Sequence, residues 1–193
     1  MDEVIKQSGV IAFRTDTFYG LGADPFSARA VARIRELKGR EDDKPILLLI
    51  SDADQVERLL TERSPEFRRL ATRFWPGPLT IVGNANPDLP QAITAGTGTV
   101  GVRLPADAHV RDLVRECGGA LTATSANPAG RDPARSAEEV RNYFPRGIDL
   151  IIDGGQVTVI APSTVVDATV SPPRIVREGA IRASEIISPE SGS

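Results

Sequence analysis

The sequence has very little of the residue types from which disulfides, zinc sites and catalytic triads are built. It contains one cysteine, Cys117, and one histidine, His109. A single cysteine cannot form an intramolecular disulfide, and this scarcity excludes most metal sites. We interpret Cys117 as a core residue and His109 as a surface residue in the first turn of a helix. We find neither a credible Ser–His–Asp set nor a glycine-rich phosphate loop.

Aromatic residues and positive charge are also scarce. Aromatics make up 5% of the chain, and the formal net charge is -3. Both values weigh against a protein that holds nucleic acid by bulk electrostatics or by base stacking. No apolar run approaches the roughly 20 residues that a membrane-spanning helix needs, and the polar start MDEVIKQSG is unlike a signal peptide. We therefore expect a cytoplasmic protein with no membrane partner.

What the chain does have is a regular alternation of apolar runs and amphipathic segments. This alternation predicts an α/β fold, a single domain with one twisted mixed sheet flanked by helices. Helices are expected after the capping residues Ser27, Ser64, Asp107 and Ser136, with Gly39 ending the first of these. Strands are expected at residues 10–13, 46–50, 79–82, 100–104, 120–124, 148–152, 165–170 and 174–177. We assign residues 1–187 to the domain and expect 188–193 to be a disordered tail.

The stretch GVIAFRTDTFYGLGAD, residues 9–24, is the most suggestive part of the sequence. It predicts a buried strand followed by a hydroxyl-rich loop in which Gly20 and Gly22 supply backbone freedom. Ligands of open α/β folds bind beyond the ends of strands. An ordinary strand and turn would explain the same residues, and the local sequence leaves both interpretations open.

Three cations, Lys38, Arg40 and Lys44, lie close together where a predicted helix ends. Lysine and arginine are favoured there because they offset the helix dipole, which is the simpler explanation on local grounds. The alternative is a phosphate clamp, in which arginine supplies a planar fork and lysine a point charge.

Other candidates lie in or beside predicted strands. Arg103 lies within an apolar strand, where a cation is costly unless it is paired or binds an anion; strand alternation could instead expose it. Ser125 and Asn127 follow a strand and suit either nucleotide binding or a turn. Ser163 precedes a late strand, and Arg177 ends another.

Together, the ordered motifs TDTFYGLG, KGR…K, WPGPLT, VGVRLP, TSAN, STVVD and VREG resemble the YrdC/TsaC family, the threonylcarbamoyl-AMP synthases. The match runs from about residue 9 to residue 179 and fits the short, single-domain form. The resemblance implies a twisted α/β fold around a concave, positively charged cavity. It also implies that L-threonine, bicarbonate or CO2, and ATP give threonylcarbamoyl-AMP and pyrophosphate, with Mg2+ assisting. A tRNA threonylcarbamoyl-transferase complex would receive the product, and contact of this chain with tRNA would be weak.

The resemblance also implies roles for individual residues. Its KxR and SxN signatures fall on Lys38 and Arg40 and on Ser125 and Asn127, which are implied to bind ATP. Lys44 is implied to act on the phosphates with Lys38 and Arg40 as the catalytic cations. The resemblance implies that Thr99 and Arg177 also bind the nucleotide. It implies that threonine is bound by Thr15, Arg103 and Ser163. No residue is assigned to a metal. Arg14 and Glu41 stand where the family usually has proline, which bears on loop geometry.

Two rival functions remain at this point. One is a non-catalytic RNA-binding module of the same fold, which the acidic charge and few aromatics disfavour. The other is a carbamoyl-adenylate enzyme like the related domain of hydrogenase-maturation proteins, which carry acylphosphatase and zinc-finger segments that we do not find in this sequence.

Overall fold

The structure, a computed structural model, describes residues 1–39, 44–158 and 161–187. Arg40 and the predicted tail at 188–193 lie outside these described residues. Within them, ten strands form two sheets. The strands are β1 (Ile11–Arg14), β2 (Tyr19–Gly22), β3 (Leu48–Ile50), β4 (Leu79–Asn84), β5 (Thr99–Arg103), β6 (Ala120–Thr122), β7 (Thr124–Ser125), β8 (Leu150–Ile152), β9 (Thr164–Asp167) and β10 (Arg174–Arg177).

The four-stranded sheet has the order β7-β2-β1-β8, and the six-stranded sheet has the order β10-β9-β4-β5-β3-β6. Both are mixed, since β1–β8, β3–β5 and β4–β9 are parallel and the remaining pairs are antiparallel. The predicted α/β class is confirmed, and the strands divide between two sheets instead of one. The division arises because the expected strand 120–124 breaks at Ala123, so that β6 joins one sheet and β7 the other.

Residues 19–22, which were expected to form a glycine-hinged loop, are strand β2 and pair with both β1 and β7. Gly22 is needed there for space and not for backbone freedom. A Cβ atom at this position would lie 2.6 Å from Cε1 of Phe13, which is closer than real contacts allow. The loop of the opening stretch is therefore only the short connection 15–18.

The helices begin where the capping residues predicted. Ser27, Ser64, Asp107 and Ser136 each accept a hydrogen bond from a backbone N–H in the first turn, and Gly39 ends its helix with a left-handed φ of 59°. In the described part of the chain the helices are α1 (Asp2–Lys6), α2 (Ala28–Lys38), α3 (Val56–Leu59), α4 (Pro65–Phe74), α5 (Gln91–Thr94), α6 (Ala108–Glu116), α7 (Ala137–Tyr143) and α8 (Ala183–Ile187), with a 3-10 turn at Ala53–Gln55. None of these helices has the length and apolar character needed to cross a membrane.

The two sheets share a small apolar cluster beneath α6. Phe13 of β1 and Leu49 of β3 are fully buried there with Val114 of α6. Cys117 belongs to this cluster, as expected, and burial raises the pKa of its thiol to about 11. His109 is exposed, as predicted. Removing a buried aromatic such as Phe13 typically costs about 3–5 kcal/mol, so this cluster fixes the relation of the two sheets.

Candidate active site

A cavity of about 950 Å³ is lined by strands of both sheets. This volume lies at the upper end of the usual range for ligand sites, roughly 300–1,000 Å³. The four-stranded sheet contributes β2 and β7, and the six-stranded sheet contributes β4, β5, β9 and β10. Among the described lining residues, four carry a positive charge and one a negative charge. The cations are Lys44, Arg103, Arg174 and Arg177, and the carboxylate is Asp167.

The cavity brings together most of the residues that the sequence singled out. Those that line it are Thr15, Lys44, Thr99, Arg103, Ser125, Ser163 and Arg177. Lys38 and Asn127 are buried and are not among the residues that line the cavity. Arg40 lies outside the described residues, so its predicted contact with ATP stays a prediction.

Arg103 ends strand β5 and is only 2% exposed, so the alternative that strand alternation exposes it is wrong. Its Nη2 donates to Oδ1 of Asp16 at 2.8 Å. Its Nε and Nη1 are buried and have no hydrogen-bond partner in the described structure. Burial lowers the pKa of the Arg103 guanidinium, Asp16 raises it, and neighbouring Arg177 lowers it. A buried cation with two donor nitrogens that lack a partner is suited to bind an anion.

Ser163 and Arg177 are in direct contact. Nη2 of Arg177 donates to the carbonyl oxygen of Ser163 at 2.9 Å and lies 3.4 Å from its hydroxyl. That hydroxyl is also 3.0 Å from the hydroxyl of Thr80 in β4, and burial lowers the pKa of Arg177. The residue expected to bind the amino acid and the one expected to bind the nucleotide thus meet at one point of the wall.

The hydroxyl of Thr15 is engaged within its own loop. It donates to the carbonyl oxygen of Phe18 at 2.7 Å and accepts from the backbone N–H groups of Thr17 and Phe18, each at 3.2 Å. Thr15 is 4% exposed. Its position in the wall agrees with the prediction, but in this structure its polar atom fixes the loop.

Lys38 is the buried last residue of α2, and its ammonium group binds the Ser125–Asn127 turn. Its Nζ donates to the carbonyl oxygens of Ser125 and Asn127, the latter at 3.0 Å, and lies 3.4 Å from Oδ1 of Asn127. Nδ2 of Asn127 in turn donates to the carbonyl of Arg131 at 2.6 Å. Lys38 is therefore not a solvated charge at a helix end, and its ammonium group is not free in this structure. It stabilises the turn that carries Ser125 into the wall.

The Sua5/YciO/YrdC family model, described by the words telomere recombination, matches residues 3–179. This chain belongs to the Sua5/YciO/YrdC family. The resemblance found from the ordered motifs is thereby confirmed.

Several relatives within the Sua5/YciO/YrdC family carry the name threonylcarbamoyl-AMP synthase. The one from Pyrococcus abyssi is 41% identical over 182 residues, which are 94% of this chain and 54% of that protein. The one from Halorhodospira halophila is 40% identical over 150 residues, 78% of each chain. This chain therefore spans about half the length of its Pyrococcus relative.

Two solved structures of the Sua5/YciO/YrdC family have the same fold. Pyrococcus abyssi Sua5 complexed with L-threonine superposes with a TM-score of 0.91 at 39% identity, over 96% of this chain and 56% of that one. Escherichia coli YciO superposes with a TM-score of 0.85 at 26% identity, over 96% of this chain and 90% of that one.

Sequence reasoning missed three residues of this Sua5/YciO/YrdC site. Asp16 was quoted in a motif without a role, yet it pairs with Arg103. Tyr19 lines the cavity, and its hydroxyl donates to Gly155 at 2.8 Å. Asp167 pairs with Arg174 at 2.9 Å; burial raises its pKa, but hydrogen bonds from Thr169 and Arg174 outweigh this and leave the pKa low. The only signal for these residues was polarity at the ends of apolar strands.

Proposed function

We propose that this chain is an L-threonylcarbamoyladenylate synthase, a nucleotidyltransferase. It joins L-threonine, bicarbonate or CO2, and ATP into threonylcarbamoyl-AMP and releases pyrophosphate. The observation that carries the proposal is buried Arg103, with two unsatisfied donors, beside Arg177 in one cavity of about 950 Å³. Such a cavity has room for an amino acid and a nucleotide together. The names of the relatives and the threonine complex of the Pyrococcus protein support it.

The chemistry suits a site without a histidine base. The neutral amine of threonine adds to CO2, loses a proton and gives a carbamate. A carbamate oxygen then forms a bond to the α-phosphorus of ATP as the bond to pyrophosphate breaks. Because the carbamate is already an anion, catalysis needs positioning and charge neutralisation more than a strong base.

The charged residues divide between the two substrates in this proposal. Arg103 binds the carboxylate of threonine, since its guanidinium can donate to both oxygens. Arg177, in contact with Ser163, lies where the carbamate meets the α-phosphate. Lys44 neutralises the phosphates. Lys38 acts through the Ser125–Asn127 turn, and Arg40 is proposed to contact the phosphates.

Mg2+ fits this site as an ion carried by the nucleotide. In the described residues no group of three or more His, Cys, Asp and Glu side chains is placed to hold a metal. Asp167, the one carboxylate among the described lining residues, is engaged by Thr169 and Arg174. Magnesium is commonly bound by substrate phosphates and few carboxylates, so it would add to the neutralisation of phosphate charge that the cations provide.

The product would be passed to a tRNA threonylcarbamoyl-transferase complex that modifies adenosine to N6-threonylcarbamoyladenosine. Threonylcarbamoyl-AMP is a mixed anhydride and reacts with water, so a prompt acceptor is required. We propose that this transfer takes place in the cytoplasm. Any contact of this chain with tRNA itself would be weak, given the net charge of -3.

The test is a product analysis with the purified protein. ATP, bicarbonate and L-threonine are mixed with it, pyrophosphate is measured, and threonylcarbamoyl-AMP is sought by mass spectrometry. We expect pyrophosphate only when threonine is present, and unchanged release from a His109→Ala control. Pyrophosphate release that ignores threonine would contradict the proposal. Tight RNA binding without any turnover would favour the RNA-binding alternative.

A further inference from the structure

One cavity has to receive two anionic substrates, and its cations must be shared between them. The described structure suggests how this is done, because the lining arginines differ in their partners. Arg103 is paired with Asp16 at 2.8 Å, whereas in the described structure Arg177 contacts neutral Ser163. A guanidinium that already has one carboxylate attracts a further anion less strongly than one that has none.

Asp16 is held firmly in its place. It lies in the connection between β1 and β2, where the hydroxyl of Thr15 binds the backbone of Thr17 and Phe18. The backbone N–H of Thr15 also donates to the carbonyl oxygen of Phe18 at 3.0 Å. The loop is therefore closed by its own hydrogen bonds, and Asp16 meets Arg103 as a fixed group and not as a mobile surface charge.

The contact with Asp16 also determines which donors of Arg103 remain. It occupies Nη2, and it leaves Nε and Nη1 buried without partners. A guanidinium offers five N–H donors in a rigid fork. Holding one nitrogen of that fork therefore fixes the direction of the other two.

From these observations we propose that Asp16 is a positioning and specificity-determining residue that dedicates Arg103 to the amino-acid carboxylate. It orients the guanidinium, and its negative charge keeps the triphosphate of ATP away from that cation. A zwitterionic amino acid with a single carboxylate is accepted, while a polyanion is directed to the cations without a carboxylate partner. This inference rests on the proposed synthase function and adds the residue that keeps the two substrates apart.

The experiment compares Asp16→Ala and Asp16→Asn with the wild type. Threonine binding without ATP is measured by calorimetry, and the KM for threonine, kcat and inhibition by inorganic tripolyphosphate are measured by pyrophosphate release. In Asp16→Ala we expect threonine affinity to fall about tenfold or more with a smaller change in kcat. We expect tripolyphosphate to compete with threonine in this variant and not in the wild type. In Asp16→Asn the affinity should partly recover while the competition remains, because the amide restores the hydrogen bond but not the charge.

A matched ion pair supplies the control. Arg33 and Asp149 also meet at 2.8 Å, and neither lines the cavity. Asp149→Ala should leave threonine affinity and tripolyphosphate inhibition as in the wild type, and melting temperatures of all variants report any loss of fold.

The proposal is overturned if Asp16→Ala binds threonine as the wild type does, or more tightly, since Asp16 would then be neutral or a competitor. Wild-type protein that binds threonine but releases no pyrophosphate would contradict the synthase function, and the calorimetry would still decide the role of Asp16. Wild-type protein that does not bind threonine would overturn both.

Discussion

The wall of the cavity and the turn beside it use positive charge in different ways. On the six-stranded sheet, Arg103 ends β5 and Arg177 ends β10, and both line the cavity. Outside the cavity lining, Lys38 is the last residue of α2 and donates to backbone oxygens of the Ser125–Asn127 turn. Arg103 thus keeps two buried nitrogens without a hydrogen-bond partner, while Lys38 stabilises the turn beside the cavity.

The difference teaches that charge near a site does not by itself identify a ligand contact. Lys38 is 2% exposed and so is Arg103. The two side chains differ in their hydrogen bonding, because Lys38 has several oxygen partners and Arg103 has two nitrogens without a partner. Substitution of Lys38 should therefore affect mainly stability, and substitution of Arg103 should affect mainly substrate binding.

Arg103→Met gives the largest expected effect. Threonine-dependent pyrophosphate release should fall about 100-fold or more, because a charged hydrogen bond is worth about 1.5–3 kcal/mol and more than one is lost. The melting temperature should change little, since removal of a buried, partly satisfied cation offsets the cost of leaving part-exposed Asp16 without its partner. Kinetics and thermal unfolding of the same sample check both statements. A variant that unfolds early would show that Arg103 serves the fold.

Lys38→Met should show the opposite pattern. Losing charged hydrogen bonds of about 1.5–3 kcal/mol should lower the melting temperature by roughly 3–12 °C in a chain of this size. ATP affinity should fall as well, because the turn that carries Ser125 loosens. Thermal unfolding and ATP titration measure the two effects. A large loss of ATP affinity at an unchanged melting temperature would mean that the lysine leaves the turn and binds phosphate directly.

Lys44→Ala serves as the comparison with Lys38→Met, because Lys44 lines the cavity and Lys38 does not. Lys44 lines the wall and is exposed, so its contact with the phosphates should be worth about 1 kcal/mol or less. We expect ATP affinity to fall about three- to fivefold with no change in melting temperature. An unchanged ATP affinity would remove Lys44 from the phosphate site.

These contrasts also show which parts of the fold the sequence could predict. The caps at Ser27, Ser64, Asp107 and Ser136 were predicted because capping depends on neighbours within three positions. The break at Ala123 and the strand at 19–22 were not, because strand pairing depends on distant partners. Apolar character alone cannot tell one long strand from two that enter different sheets.

The same limit applies to the site. The sequence identified Arg103 as a cation in an apolar strand, but its partner Asp16 lies 87 positions away. The carbonyl oxygens that Lys38 binds lie 87 and 89 positions away. Residue types predicted which groups need partners, and only the packing of two sheets determines which partners they find.

Thr15→Val is expected to have the smallest effect, and it separates direct contact with threonine from action through the loop. Valine removes the hydroxyl that binds Thr17 and Phe18, at a net cost of about 1 kcal/mol, so Asp16 should be held less firmly. We expect the KM for threonine to rise about two- to fivefold, and Thr15→Ser, which keeps the hydroxyl, to match the wild type.

The decisive measurement compares the KM for threonine, serine and valine, each determined by pyrophosphate release. The wild type should use serine poorly, since one methyl group is worth about 1–3 kcal/mol, and valine still more poorly, because polar groups of the pocket are left unpaired. If Thr15 acts through the loop, Thr15→Val raises the KM for threonine, serine and valine by the same factor, because all three carry the carboxylate that Arg103 is proposed to bind. If the hydroxyl of Thr15 instead contacts the hydroxyl of threonine, Thr15→Val raises the KM for threonine and serine more than the KM for valine. Equal increases in KM would thus show that Thr15 acts through its loop. A smaller increase for valine would show that Thr15 contacts threonine directly.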